Sequence, residues 1–103
     1  MTYAHAVDVA ATVEMYEALH AEIVRLSGGT VDGLLVHIGH PSTTGFRVVE
    51  VWESRTHFER YNDEIVLPAI QRMAAGRQGP APEQTIEPLD VRGLVLAGGQ
   101  VVV

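Results

Sequence analysis

The stretch Val31–Glu53 reads VDGLLVHIGHPSTTGFRVVEVWE, and its pattern decides the fold. Val31 to His40 is dense in Leu, Val and Ile, which reads as a strand buried on both faces. Pro41-Ser42-Thr43-Thr44-Gly45 is a turn signal and Phe46 to Glu53 is a second β-branched run, so the two should pair as an antiparallel hairpin. Side chains alternate along a strand, which puts Phe46, Val48, Glu50 and Trp52 on one face and Arg47, Val49, Val51 and Glu53 on the other. A slip of one residue would turn every one of them to the wrong layer.

On either side of the hairpin the period changes from two to about 3.6. From Thr12 to Leu26, Val13, Tyr16, Leu19, Ile23 and Leu26 form one helical stripe, with Thr12 placed to cap the first turn and Gly28-Gly29 to end the last. Glu14, Glu17, Glu22 and Arg25 form its solvated face. A second helix should start after Ser54 and run through Phe58, Tyr61, Ile65, Ile70 and Met73 to about Ala75, where Gly76 stops it. Pro68 lacks a backbone donor, so a kink or a join between two helical pieces is expected from Asn62 to Leu67. Arg77 to Glu83 reads as a loop, Thr85 to Leu96 as a last strand bent at Pro88, and Tyr3 to Val9 as the first strand.

The resulting order is strand, helix, strand, strand, helix, strand. That is the α+β, ferredoxin-like split βαβ unit, with four antiparallel strands and both helices on one face. A chain of 103 residues holds one such domain, assigned to residues 1–97, with 98–103 as a short tail that is either a swapped strand or a frayed end. Leu34-Leu35-Val36 and Val48-Val49 leave no exposed polar row, although helices cover only one sheet face. A homodimer joined through the other face resolves this.

Composition removes several classes of function. Seven basic residues against thirteen acidic ones leave a net charge of −6, which is no footprint for nucleic acid or an anionic membrane surface. The absence of cysteine excludes disulfides, thiolate catalysis and Cys-type metal centres. Met1 to Asp8 has neither a basic region nor a long apolar run, so a cytoplasmic location is expected. No Gly-x-Gly-x-x-Gly or Walker loop occurs, and no histidine pair has helical His-x-x-x-His spacing. His37 and His40 are three apart on a strand and point to opposite faces. Neither a metal nor an organic cofactor is expected.

The junction Val51-Trp52-Glu53-Ser54 followed by Phe58, after a Gly-turn-Phe hairpin, resembles the strand-to-helix junction of the antibiotic biosynthesis monooxygenase family, the small dimeric α+β barrels. The likeness in element order covers nearly the whole chain, and the motif-level likeness about Gly33 to Ile70. The resemblance implies a homodimer with facing sheets and a pocket in each protomer between sheet and helices. The family includes cofactor-free oxygenases acting on aromatic polyketide phenols and haem-degrading enzymes, and related barrels act as polyketide cyclases. The haem branch carries a histidine ligand in its second helix where this sequence has Ala69 to Ala74, so haem is not expected. Of the family's pocket residues only the tryptophan, matched by Trp52, carries over.

If Trp52 points to the helices, as the resemblance implies, Glu50 points there too, and burial would raise its pKa toward the range useful for proton transfer. Alternatively the strand rotates near its end and Glu50 reaches solvent or pairs with Arg47 or Arg55. His37, paired opposite Val48 and diagonal to Glu50, is either an acid or base in the pocket or a core or dimer-face histidine satisfied by a carbonyl. The expected catalytic set is therefore His37, Glu50 and Trp52. Tyr16 and His20 on the first helix, with Phe58 and Tyr61 on the second, are the expected substrate-binding residues, against the plainer reading of core aromatics and a stripe-edge histidine. His5 and His40 read as surface or structural, and His57 as exposed.

The function expected from this set is a small cofactor-independent, monooxygenase-like enzyme that deprotonates a flat apolar or aromatic small molecule. The alternatives are a non-oxidative cyclase or isomerase, and a noncatalytic metabolite-binding or accessory barrel.

Overall fold

The computed structural model describes residues 2–75 and 82–102. In chain order they form β1 (Tyr3–Val9), α1 (Val13–Ser27), β2 (Leu34–Pro41), β3 (Phe46–Trp52), α2 (Arg55–Tyr61), a π-helical turn (Asn62–Val66), α3 (Leu67–Ala74), β4 (Gln84–Leu89), β5 (Val95–Leu96), a 3-10 turn (Ala97–Gly99) and β6 (Gln100–Val101). The main sheet runs β2-β3-β1-β4 with every neighbouring pair antiparallel, which is the expected ferredoxin-like arrangement.

Local chemistry accounts for the helix ends. Thr12 accepts from the Met15 amide at 3.2 Å, and Gly28 takes the left-handed cap conformation at φ 71° that a larger residue resists. Ser54 accepts from the His57 amide at 3.2 Å and so starts α2. Pro68 stands near the start of α3 and lacks the amide that would close the preceding turn. The chain widens there, with Leu67 donating to the Asn62 carbonyl five residues back. The expected join of two helical pieces is therefore a π turn. The expected stop at Gly76 and most of the loop after it lie outside the described residues.

One sheet face packs against the helices, with Phe46, Trp52, Tyr61 and Ala69 at its buried centre. On the other face Ala4 and Ala6 of central β1 are buried between the larger side chains of the flanking strands. Val36, Val49 and Ile38 continue that face outward, and Ile38 is 53% exposed in the single chain. Among the described residues no helix is long and apolar enough to cross a membrane.

Three expectations are corrected. The β2–β3 register sets His37 opposite Glu50, and it is Gly39 that opposes Val48. This is a two-residue difference that preserves the face, and it is accompanied by an irregularity between Leu34 and Val36. The last strand does not run from Thr85 to Leu96. It ends at Leu89, with Pro88 tolerated because β4 is an edge strand bonded on one side only. Val95–Leu96 leaves the sheet and pairs with Gln100–Val101 across Gly98 and Gly99, both at positive φ. The tail is thus a local hairpin, further held by the Val102 amide on the Leu94 carbonyl at 2.8 Å. Finally, His57 is half-buried, because Gly33, at φ 80°, lets its ring lie where a Cβ would sit only 2.3 Å away.

Candidate active site

The register of the sheet builds the site. Glu50 on β3 lies opposite His5 on β1 and opposite His37 on β2, so three adjacent strands carry three titratable side chains in one row. All three project toward the helices, as alternation from Trp52 requires. Glu50 is 5% exposed and His5 1%. His5 Nε2 lies 3.0 Å from Glu50 Oε1, and His37 Nδ1 lies 2.7 Å from Oε2. Trp52 Nε1 donates to Oε1 at 3.3 Å. An ionised carboxylate only accepts, so both imidazoles donate to it. His37 therefore carries its proton on Nδ1 and turns Nε2 toward the Tyr16 hydroxyl, 2.7 Å away.

The charge state follows from these bonds. Burial pushes the Glu50 carboxyl up, but hydrogen bonds from His37 and His5, and the attraction of both rings, outweigh it and hold the group down at about 2. The expected upward shift follows from burial without partners, and the two imidazole donors reverse it. Nor does Glu50 pair with arginine: Arg47 sits near Asp8 and Glu87 at 3.7 and 3.9 Å, and Arg55 lies 3.8 Å from Glu59. The same buried charge acts on the phenols. Burial first, then Glu50, raises Tyr16, and burial, Glu50 and Tyr16 in that order raise Tyr61. Both tyrosines stay protonated, and Tyr16 donates to His37 Nε2.

Tyr16 reaches His37 because of a glycine. A Cβ on Gly39, two residues along β2 from His37, would lie 2.2 Å from the Tyr16 ring. His20, one turn further along α1, is exposed and stacks against Tyr16 and His37 at centroid distances of 5.6 and 5.4 Å. Beside these rings opens a cavity of about 400 Å³, whose wall includes His37, His20 and Tyr61 with Ile23, Val24 and Leu34. Its size and mixed lining suit a small, mostly apolar molecule with a polar head.

The expected site residues separate into two groups. His37, His20 and Tyr61 reach the cavity. Glu50 lies behind His37, and Trp52, with no exposed surface, packs against Tyr61 and Phe58 at 4.9 and 5.8 Å. Phe58 belongs to a ring cluster with Tyr3 and His5 rather than to the cavity wall. Tyr16 stands at the outer end of the hydrogen-bonded row. His40 is exposed and bonded to the Pro41 carbonyl at 2.8 Å. His5, read from sequence as surface or structural, is instead a buried partner of Glu50. The only signal for it was its place between two alanines of a strand, Ala4 and Ala6, where a solvent-facing polar residue has less reason to stand. Among the described residues no group of three or more His, Asp or Glu is arranged to hold a metal ion.

The depressed carboxyl has a consequence for stability. The folded value near 2 lies below the ordinary 4.5, so the stabilisation is fully present above pH 4.5 and is lost as the pH falls through about 2. At 1.36 kcal/mol per pH unit this amounts to about 3 kcal/mol. The stability gap between the wild type and Glu50→Gln, measured by urea unfolding, should narrow by about that amount between pH 4.5 and 2. A gap that stays constant over this window would show that Glu50 is not held ionised.

No family model matches the chain, and no curated protein matches it by sequence. Solved structures do match. SnoaB, a cofactor-independent oxygenase from Streptomyces nogalater, superposes with a TM-score of 0.58 at 15% identity, over 88% of this chain and 91% of that one. A putative antibiotic biosynthesis monooxygenase from Chloroflexus aurantiacus gives 0.60 at 19% identity, over 94% of this chain and 100% of that one. The NE2512 protein of Nitrosomonas europaea, of unknown function, gives 0.62 at 14% identity, over 90% and 93%. At such identities the likeness is one of fold. The chain has the α+β fold shared by these proteins, in agreement with the resemblance carried by Trp52 and its neighbours.

Proposed function

We propose that this protein is a small cofactor-independent, monooxygenase-like enzyme that deprotonates a flat, largely apolar metabolite bearing an ionisable hydroxyl or ketone. The observation that carries this reading is His37 at the cavity wall, its Nδ1–H bonded to a buried ionised carboxylate. Glu50 orients the ring and offsets the charge that appears when His37 accepts a proton at Nε2. Tyr16 holds that nitrogen in the resting site, so a substrate hydroxyl either takes its place or passes its proton through it. Tyr61, on the cavity wall and kept protonated, then donates to the oxyanion that develops on the substrate. Trp52 acts from behind, by holding Glu50 Oε1.

In the oxygenase chemistry the deprotonated substrate carbon supplies the electrons. It adds to dioxygen to form a carbon–oxygen bond as a peroxide anion, which takes a proton from His37. Loss of water then leaves a carbonyl, so one oxygen atom enters the product and the other leaves as water. The protein orients the substrate, moves the proton and keeps bulk water away. SnoaB, which shares the fold, is a cofactor-independent oxygenase, and the oxygenase reading extends that chemistry to this chain.

Oxygen uptake and product formation with a panel of polycyclic phenols test this directly. Oxygen should be consumed in step with product, and His37→Ala should lower turnover by about 100-fold or more. Product without oxygen uptake would replace the oxygenase reading by a cyclase or isomerase. Unchanged turnover in the variant would remove His37 from the chemistry. Binding without turnover would leave an accessory barrel.

The half-covered apolar face bearing Val36, Ile38 and Val49 supports a homodimer joined through it, on the side of the sheet away from the cavity. Sedimentation at micromolar concentration should give twice the chain mass, and Ile38→Asp should give the single chain. A monomeric wild type would contradict the dimer without touching the site.

A further inference from the structure

The hydrogen-bonded row has two ends, and they differ. At one end His37 meets Tyr16 and the cavity. At the other, His5 forms T-shaped pairs with Tyr3 and Phe58, with ring centroids 5.4 and 4.5 Å away. His5 Nδ1 is buried and has no hydrogen-bond partner among the described residues. A proton there would be a buried donor with nothing to receive it, whereas Nε2 faces Glu50 Oε1. The geometry therefore puts the donor proton of His5 on Nε2.

We propose that His5 is a positioning residue that never touches substrate: by fixing Glu50 Oε1, it holds Oε2 against His37 Nδ1 and so makes Nε2 the basic nitrogen of His37. The proposal rests on reading His37 as the base. The physical reason is the freedom of the parts it restrains. The terminal torsion of a glutamate is broad, and without His5 the carboxylate is held at Oε1 only by the longer Trp52 bond of 3.3 Å, against 3.0 Å for His5, so it swings more readily. The partner at the other side of His37 cannot choose the tautomer, because the Tyr16 hydroxyl is able to donate to an imidazole nitrogen or accept from it. Only a carboxylate oxygen kept at Nδ1 makes the choice.

Nitrogen-15 NMR of the histidine rings tests this without an activity assay. In the wild type near neutral pH, His5 should be a single Nε2–H tautomer and His37 a single Nδ1–H tautomer. His5→Phe keeps an aromatic ring, slightly larger than imidazole, beside Tyr3 and Phe58 but removes the donor, and His37 should become a mixture of tautomers. His5→Gln places an amide N–H near the position of Nε2 and should restore the single Nδ1–H form. Three results would each overturn the proposal: a proton on Nδ1 of wild-type His5, a single unchanged His37 tautomer in folded His5→Phe, or a mixed His37 in folded His5→Gln. The wild-type measurement decides even where His5→Phe does not fold. Failure of the oxygenase reading is distinguishable, since it is read in turnover of His37→Ala while the tautomers stay as described.

Discussion

A carboxylate buried between a sheet and its helices is the constraint on which the rest of this molecule depends. Removing such a charge from water costs several kcal/mol unless its lone pairs are used, and Glu50 uses them on His5, His37 and Trp52. These donors come from three strands, and they meet only at one register on each side of β3. A one-residue slip of β1 or β2 would turn a histidine to the outer face and deprive the charge of one of its donors. The residues that would carry the chemistry therefore also define the sheet. Gly39 extends the constraint to α1, because only a residue without Cβ lets Tyr16 cross β2 and close the row.

Much of the fold was legible because the signals are local. The turn at Pro41–Gly45, the caps at Thr12 and Ser54 and the missing amide of Pro68 each act within a few residues, and the elements they mark are present. The last strand was read too long because Val91 to Leu96 carries the same apolar content as a strand. What ends β4 is the escape of Val95–Leu96 into a hairpin with residues beyond the glycines, and that competition is not visible in a strand-length window.

The site was legible in part for the same reason. Alternation along β3 places Glu50 and Trp52 together, and the neighbouring strand supplies His37. His5 was missed because its partner is 45 residues away and is found only through the β1–β3 register. The direction of the Glu50 shift was misjudged for want of that same partner: burial alone raises a carboxyl, and two imidazole donors reverse it. The shared fold says little about chemistry by itself, and the functional reading stands on the row and the cavity beside it.

Whether Glu50 is ionised while buried is measured most directly by carbon-13 NMR of its side-chain carboxyl. On acidification the folded protein should keep Glu50 as carboxylate until the pH approaches about 2. A carboxyl that takes up its proton at pH 4.5 or above would contradict an ionised Glu50, since the two histidines would then not be donating to a charge.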